Sequence, residues 1–167
     1  MGKDRGREGM PGQIKIHKNV NLEAKLRTVC ARDIMTKNVM TINQLTPLSE
    51  VASIMIKQRV NGMPVVGKNG NLVGIVTTTD LFIVLAMIME GNTDKFGVTP
   101  TDPVVDVAMA TEIIGVKEAT TLEEILKLIR SESIHTIPVL DGDKLVGIIG
   151  RHDVLKKFYE IAKTCNL

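Results

Sequence analysis

The sequence predicts an α/β (α+β) fold of two β-α-β-β-α repeats, packed sheet-to-sheet about a pseudo-twofold axis. Residues 74–81 read as a buried strand, a polar turn and a helix start, and residues 147–154 repeat that pattern. Apolar residues also recur at helical spacing in both halves: Leu48, Val51, Ala52 and Met55, then Leu122, Ile125, Leu126 and Ile129. One half cannot bury its apolar face alone, whereas two copies can.

Composition agrees with a globular chain whose core is aliphatic. Apolar residues make up 44% of the 167 positions, but aromatic residues make up only 2%. The core must therefore be built from Ile, Val, Leu, Met and Ala. So few aromatic rings also argue against extensive stacking on nucleic-acid bases.

The first repeat is expected over residues 29–91. A short entry turn at 31–36 precedes a strand at 39–42, and Thr46 is predicted to cap a helix with Pro47 at its first position. That helix ends near Arg59. A strand at 62–66, an Asn-Gly hairpin turn and a strand at 72–76 follow. Thr79 and Asp80 are the candidate N-caps of the last helix, at 81–90.

The second repeat is expected over residues 104–163, after a linker at 92–103 that carries Pro100 and Pro103. Its positions match the first repeat at an offset of 74 up to the hairpin and 73 after it, so one residue is missing from the turn. Thr120 and Glu123 have the spacing of a capping box. The final helix, at 154–163, is amphipathic.

The last helix of the first repeat is apolar on every side between residues 81 and 89. Such a helix is normally buried all round, and a small two-repeat module has little interior to hide it. We therefore expect it to pack against a second copy; the alternative is burial under the N-terminal segment. The run is too short to span a bilayer, and with no signal peptide the expectation is a cytoplasmic protein.

The basic excess of the chain lies in its N-terminal arm. Residues 1–28 hold seven Lys or Arg against three acidic residues, whereas residues 29–167 hold fourteen against sixteen. We expect a solvated, partly disordered arm, with a helical turn at 21–27 that places Leu22 and Leu26 on one side. The alternative is an arm that associates with nucleic acid.

No catalytic or metal-binding constellation stands out in the sequence. Cys30 and Cys165 form no C-x-x-C or Cys/His pattern, and the three histidines share no motif. The segment 67–70 is Gly-rich but lacks the spacing of a phosphate-binding P-loop.

The duplicated unit resembles the CBS domain (cystathionine-β-synthase domain), and the pair resembles a Bateman module. The resemblance rests on three segments in order: Asp33-Ile34-Met35-Thr36, the Gly-x-Pro-Val-Val strand at 62–66, and the Gly-Ile-Val-Thr-x-x-Asp segment that ends at Asp80. It covers residues 29–163. It implies a regulatory module and not an enzyme, with an adenine-containing ligand (AMP, ADP, ATP or S-adenosylmethionine) bound in a cleft between the repeats. Such modules commonly pair into a disk of four repeats, which implies a homodimer and a regulated partner protein.

The resemblance implies a first ligand cleft whose motif is intact. Thr77, Thr79 and Asp80 of the first repeat would hold the ribose and phosphate. The second repeat would contribute Ile113, Ile114 and Gly115 around the adenine, backbone at Thr136 and Ile137, and His135 near the phosphate. For Asp80 the alternative interpretation is plain helix capping.

The second implied cleft departs from the family pattern, because Gly150 stands where a Ser or Thr is expected. Arg151 and His152 offer other donors, and Asp153 remains available for the ribose. The first repeat would supply Thr36, Val39, Met40, Val60, Asn61, Gly62 and Met63. We therefore expect two unequal sites. A structural dimerisation scaffold with degenerate clefts remains an alternative, and the residues do not rank the nucleotides.

Overall fold

The computed structural model of this chain describes residues 20–91 and 102–164, with side chains from residue 22 onwards. The predicted arm up to residue 19, most of the linker and Cys165 therefore lie outside the described residues. In chain order the elements are α1 (Val20–Thr28), α2 (Ala31–Ile34), α3 (Leu48–Gln58), β1 (Gly62–Val66), β2 (Leu72–Thr77), α4 (Thr78–Met89), a 3-10 turn (Val105–Val107), β3 (Val116–Lys117), α5 (Leu122–Glu132), β4 (Thr136–Asp141), β5 (Lys144–Gly150) and α6 (Arg151–Thr164).

Each repeat is built around an antiparallel hairpin, β1–β2 or β4–β5. The two hairpin turns occur where the Asn-Gly and Asp-Gly pairs predicted them, and their glycines adopt φ of 76° at Gly70 and 60° at Gly142. A Cβ at that backbone angle is strained, which explains why glycine occupies both turns. In the second repeat β3 adds a parallel third strand beside β4.

The strand predicted at 39–42 is wrong in extent, because it is reduced to a single parallel bridge between Ile42 and Val65. The Ile42 N–H donates to the Pro64 carbonyl at 3.1 Å, and the Ile42 carbonyl accepts from the Val66 N–H at 2.8 Å. Ile42 is buried, whereas Met40 is half exposed. Only the last residue of the predicted strand has a sheet to pack on.

The expected pseudo-twofold relation is visible in two pairs of isolated β-bridges. In each pair, the residues of one bridge are the repeat equivalents of the residues of the other. Cys30 bridges Thr121, and the equivalent bridge joins Pro47 to Val104. Similarly, the bridge between Thr36 and Ile148 has its counterpart between Ala110 and Ile75. Each bridge joins the entry segment of one repeat to the body of the other.

The two hydrophobic cores are completed by the same exchange of entry segments. Ala31, from the start of the first repeat, is fully buried in a cluster with Leu122 and Ile125 of the second. Val105, from the start of the second repeat, is fully buried in the cluster of the first. Neither repeat therefore has a complete core without the chain segment that precedes the other.

The two repeats meet at an equivalent pair of residues, Gly62 in β1 and Thr136 in β4. A Cβ built on Gly62 would lie 2.6 Å from Thr136 Oγ1 and 3.1 Å from its Cβ. These residues are 74 positions apart, so the pseudo-twofold axis passes between them. One repeat supplies a threonine side chain and the other leaves space for it.

The predicted helix starts are wrong by one to three residues. α3 begins after Pro47 as its N-cap, and α5 begins after Thr121, not Thr120. The Thr46 and Thr120 hydroxyls bond to the turn that precedes each helix. Thr46 Oγ1 accepts the Asn43 N–H at 3.2 Å, and Thr120 Oγ1 accepts the Lys117 N–H at 3.1 Å.

The capping box of α5 is consequently made by Thr121 and Glu124, where Thr120 and Glu123 were predicted. The Glu124 carboxylate accepts from both the N–H and the hydroxyl of Thr121 at 2.8 Å. The hydrogen bond from the Thr121 N–H is the largest of the influences that lower the pKa of Glu124, ahead of the Thr121 hydroxyl and the charge of Lys127. Carboxylates near a helix N-terminus are generally stabilised in their charged form.

Residues 20–28 of the predicted arm form a helix that docks on the second repeat, as the apolar spacing of Leu22 and Leu26 indicated. Leu26 is buried and Leu22 packs against the same cluster. Lys25 Nζ donates to Thr164 Oγ1, and Arg27 Nε pairs with Glu123 Oε2, both at 2.7 Å. This part of the basic arm belongs to the folded body.

Candidate ligand clefts between the repeats

The ends of β2 and β5 flank the pseudo-twofold axis. Thr77 at the end of β2 pairs with Gly62, which abuts Thr136, and Thr136 pairs with Gly150 at the end of β5. A helix begins directly after each strand. Two helix N-termini, with their free N–H groups and positive dipole ends, therefore lie beside the junction of the repeats.

On the first-repeat side the helix entry is a hydrogen-bonded pair of Thr77 and Asp80. Asp80 Oδ2 accepts from the Thr77 N–H and from the Thr77 hydroxyl, each at 2.7 Å. The N-cap of α4 is thus Thr77, with Asp80 three residues on, where Thr79 and Asp80 were predicted as caps. Both side chains of the pair are half-buried, and Thr79 is exposed. Capping accounts for the orientation of Asp80, and both of these bonds use the same one of its two oxygens.

The second repeat reaches this helix entry through a crossing segment between residues 110 and 116. Ala110 exchanges two backbone hydrogen bonds with Ile75 of β2, at 2.8 and 3.0 Å, and Val116 begins β3. Ile113 and Ile114 lie between these two anchors, the first half-buried and the second exposed. Gly115 packs tightly, because a Cβ there would lie 2.9 Å from Leu140 Cδ1.

The start of β4 completes the residues predicted for the first cleft. Thr136 is half-buried at the axis and His135 is exposed. The Ile137 side chain is only 1% exposed and belongs to the second core. Only the backbone of Ile137 is therefore left for contact with a ligand.

The second-repeat helix entry has the same arrangement without the hydroxyl. Asp153 Oδ2 accepts from the Gly150 N–H at 2.8 Å. The nearest atom to a Cβ built on Gly150 is that same oxygen, at 3.5 Å. Arg151 and His152 are exposed on the first turn of α6. At the cap position the second entry thus lacks the side chain that Thr77 supplies in the first, and position 150 has room for it.

The first-repeat residues predicted for the second cleft follow the pseudo-twofold relation. Thr36 exchanges backbone hydrogen bonds with Ile148 at 2.9 and 3.0 Å, so Val39 and Met40 follow it as counterparts of Ile113 and Ile114. Val60 and Asn61 are exposed, and the Asn61 carbonyl accepts the Thr78 N–H at 3.0 Å. Two further members are buried: Gly62 lies at the axis, and the Met63 side chain lies in the first core.

Sequence reasoning missed a concave apolar surface between α3 and α4, here called the α3–α4 groove. It has a volume of about 420 Å³ and is lined by Leu48, Ser49, Ala52, Met55, Ile56, Thr78, Leu81, Phe82, Val84, Leu85, Ile88, Asp102 and Pro103. A second hollow of about 520 Å³ lies at the β3–β4 edge. Of the predicted ligand residues only Gly115 lines either one. The signal that could have indicated this groove is the presence of apolar residues, such as Ile56, outside the buried stripe of α3.

Within residues 20–91 and 102–164, no group of three His, Cys, Asp or Glu side chains is placed to hold a metal ion. Over the same residues no helix is long and apolar enough to cross a membrane.

Comparison with known proteins agrees with this architecture. A family model described as the CBS domain matches twice, at residues 31–87 and 102–160. The chain belongs to the CBS domain family. CBS domain-containing protein YhcV of Bacillus subtilis is 32% identical over 123 residues, which cover 74% of this chain and 81% of that protein.

Solved CBS pairs share the fold. A crystal structure of CBSX2 in complex with AMP matches with a TM-score of 0.68 and 26% identity, covering 80% of this chain and 98% of that one. The CBS domain pair of protein MJ0100, in complex with 5′-methylthioadenosine and S-adenosyl-L-methionine, matches with a TM-score of 0.67 and 26% identity, covering 79% and 97%. The predicted α/β class and tandem CBS arrangement are thereby confirmed.

CBS repeats also match part of larger proteins. Inosine-5′-monophosphate dehydrogenase of Methanocaldococcus jannaschii is 29% identical over 147 residues, which cover 85% of this chain but only 27% of that protein. The shared region of that enzyme is thus a minority of its length.

Proposed function

We propose that this chain is a regulatory module that binds an adenine-containing small molecule between its two CBS repeats. The observation that carries the proposal is the Thr77–Asp80 helix entry, which stands at the repeat junction beside the crossing segment of the other repeat. Two solved CBS pairs at 26% identity contain AMP, or 5′-methylthioadenosine and S-adenosyl-L-methionine, which supports an adenine ligand.

Each predicted residue of the first cleft has a physical role in this proposal. The N–H groups at the start of α4 and the Thr77 and Thr79 hydroxyls suit a phosphate, because anions are stabilised at helix N-termini. The second oxygen of Asp80 accepts ribose hydroxyls while the first maintains the cap. Ile113 and Ile114 pack against the adenine, backbone at Gly115, Thr136 and Ile137 contacts its edge, and exposed His135 approaches the phosphate.

The second cleft takes the same ligand class with lower affinity. Asp153, Arg151 and His152 supply the polar groups of the second helix entry, and the hydroxyl equivalent to Thr77 is absent at Gly150. Thr36, Val39 and Met40 form the wall opposite. The remaining contacts to the ligand come from Val60, Asn61 and the backbone of Gly62 and Met63.

Restoring the missing hydroxyl is expected to strengthen the second site. Gly150→Thr places a side chain where the nearest atom to its Cβ is 3.5 Å away, and one added hydrogen bond of about 1 kcal/mol gives about fivefold tighter binding. Two-site calorimetric titration measures it, with Gly142→Asn in the hairpin turn as control. A second-site affinity that does not rise would contradict the proposed role of position 150.

Ligand in a cleft contacts both repeats, so it favours whichever relative arrangement it binds more tightly. That preference is the signal passed to a regulated partner protein. The proposed role is accordingly regulatory rather than catalytic. Titration of the purified chain with AMP, ADP, ATP and S-adenosylmethionine tests the proposal: we expect saturable binding of at least one, and no binding by any at millimolar concentration refutes it.

Assembly into a homodimer of four repeats is part of the proposal, since α4 exposes an apolar face. Phe82, Leu85 and Met89 are 70%, 52% and 81% exposed, and only Val84 of this helix is buried. On α6 the related face exposes Leu155 and Tyr159. Contiguous apolar faces of this kind mark interaction sites.

Introducing charge into this face is expected to separate the dimer. Leu85→Glu places a carboxylate in the proposed interface, where an unpaired charge is strongly unfavourable, so light scattering should show the mass of one chain. Glu160→Gln, on the exposed surface of α6, is the control and should remain dimeric. A wild-type chain that is monomeric at all concentrations would contradict this assembly.

A further inference from the structure

Each repeat has a glycine in the second strand of its hairpin that a methionine of the other repeat covers. A Cβ built on Gly74 of β2 would lie 2.6 Å from Met109 Sδ and 3.1 Å from Met109 Cγ. A Cβ built on Gly147 of β5 would overlap Met35 Sδ and lie 2.8 Å from Met35 Cγ. The absence of a side chain at each glycine is thus matched to a methionine from the opposite repeat.

The two methionine–glycine contacts are equivalent under the repeat offsets. Met109 follows Met35 by 74 positions, and Gly147 follows Gly74 by 73. Both methionine side chains are partly buried, and each packs against one of the two cores. Glycine within a strand often marks a place where another segment approaches closely, and an unbranched methionine adapts to such a narrow space. None of these four residues has a ligand contact in the proposed clefts.

Backbone hydrogen bonds adjoin both methionine–glycine contacts. The residue after each methionine exchanges two bonds with the residue after the glycine that it covers. Ala110 and Ile75 do so at 2.8 and 3.0 Å, and Thr36 and Ile148 do so at 2.9 and 3.0 Å. The side-chain contact and the backbone exchange together fix how closely the entry segment of one repeat approaches the strand of the other.

Both walls of each proposed cleft start from such a contact. In the first cleft, Thr77 lies three residues after Gly74, and Ile113 lies four residues after Met109. The second cleft repeats both intervals, from its own glycine and its own methionine. Four residues span at most about 14 Å. The spacing between the two walls of a cleft therefore depends on where the methionine sits over the glycine.

We propose that the two methionines are positioning residues for the ligand clefts. Met109 on Gly74 sets the spacing of the walls in the first cleft, and Met35 on Gly147 sets it in the second. This inference rests on the proposed ligand clefts and assigns the control of each to a separate contact. Each methionine acts through the segment that follows it rather than by touching the ligand. Disturbing one contact should therefore weaken one site and leave the other unchanged.

Amide hydrogen exchange of the full chain, resolved by residue and without ligand, tests the contacts themselves. Gly147→Ala should speed exchange of the Thr36 and Ile148 N–H groups about tenfold, because the added methyl pushes the entry segment from the strand. The Ala110 and Ile75 N–H groups, at the other contact, should keep their exchange rates. The matched variant at the glycine of β2 should give the reverse pattern.

Calorimetric titration of the same variants with AMP, ADP, ATP and S-adenosylmethionine tests the positioning role. Gly147→Ala should weaken the second, lower-affinity site about tenfold and leave the tighter site unchanged. Gly74→Ala should weaken the tighter site by a similar factor and leave the second unchanged. A residue with a merely structural role would lower the stability of the fold without selecting one site.

A second substitution shows whether the effect passes through the methionine. Adding Met35→Ala to the Gly147→Ala chain removes the atoms that the new methyl would overlap. The double variant should recover most of the exchange protection that Gly147→Ala alone removes at Thr36. If Gly147→Ala does not fold, Met35→Ala alone breaks the same contact and is measured in its place, with Met109→Ala as its matched control.

The outcomes separate this inference from the proposed function. Faster exchange at one contact, together with weaker binding at the site beside it, supports the positioning role. Equal acceleration at both contacts, equal loss at both sites, or no recovery in the double variant overturns it. A chain that shows the expected exchange pattern but binds none of the four ligands would instead refute the ligand clefts, and the positioning role would fall with them.

Discussion

Replacing Gly62 with valine is expected to lower the free energy of unfolding by about 3 kcal/mol, at the upper end of overpacking effects. A Cβ at this position meets the Thr136 side chain at 2.6, 3.1 and 3.2 Å. Threonine is stiff about its first side-chain torsion, so it has little freedom to move aside. Urea unfolding, compared at unchanged slope, measures the loss.

A double variant that exchanges the two residues tests whether the lost stability comes from this close contact or from a general intolerance of β1 to substitution. Because the axis passes between them, Gly62→Thr with Thr136→Gly is expected to recover most of the stability that Gly62→Thr alone removes. Gly70→Asn, in a turn where no atom lies within 4 Å of the built Cβ, is the control. Equal losses for Gly62→Val and Gly70→Asn would contradict the close contact at the axis.

Asp80→Asn is expected to weaken ligand binding at the first cleft by roughly tenfold to hundredfold, since hydrogen bonds to charged groups contribute about 1.5–3 kcal/mol. The amide oxygen can still accept the Thr77 N–H that now bonds at 2.7 Å. The cap is therefore largely kept, and the unfolding free energy should change much less than the affinity. Calorimetric titration with the tightest-binding adenine ligand measures the effect.

Asp153→Asn is the matched variant, because Asp153 makes the equivalent contact to Gly150 at 2.8 Å. It should weaken the second site and leave the first unchanged. If Asp80→Asn leaves the tighter site unaltered while it destabilises the helix, Asp80 serves as a cap alone. That outcome would revive the interpretation of the module as a structural scaffold.

The elements that the sequence predicts well are those decided by neighbouring residues. The helical stripe of α3 and α5, the strands at 62–66 and 72–76, and both glycine turns follow from local periodicity and turn chemistry. The duplication at a nearly constant offset then forces two similar half-cores. Each half has an apolar face that only a second half can cover, so the paired architecture also follows.

Helix boundaries were less predictable, because several hydroxyls compete for each cap. Thr120 and Thr121 are equivalent by residue type, yet Thr120 accepts the Lys117 N–H and Thr121 caps α5. The choice depends on backbone direction at the preceding turn. Among the predicted ligand residues, the Met63 side chain lies in the first core. Successive strand residues face opposite sides, and which side meets the core is decided by how the sheet packs.

The sequence by itself determined that this chain is a duplicated aliphatic module with a polar helix entry in each half, because repetition and periodicity are properties of residue order. Only the tertiary structure decided that each entry segment completes the core of the other repeat, and that Gly62 and Thr136 meet on the axis. It also decided that a groove remains between α3 and α4. These features join residues far apart in the chain, and such contacts depend on how the two halves close on each other.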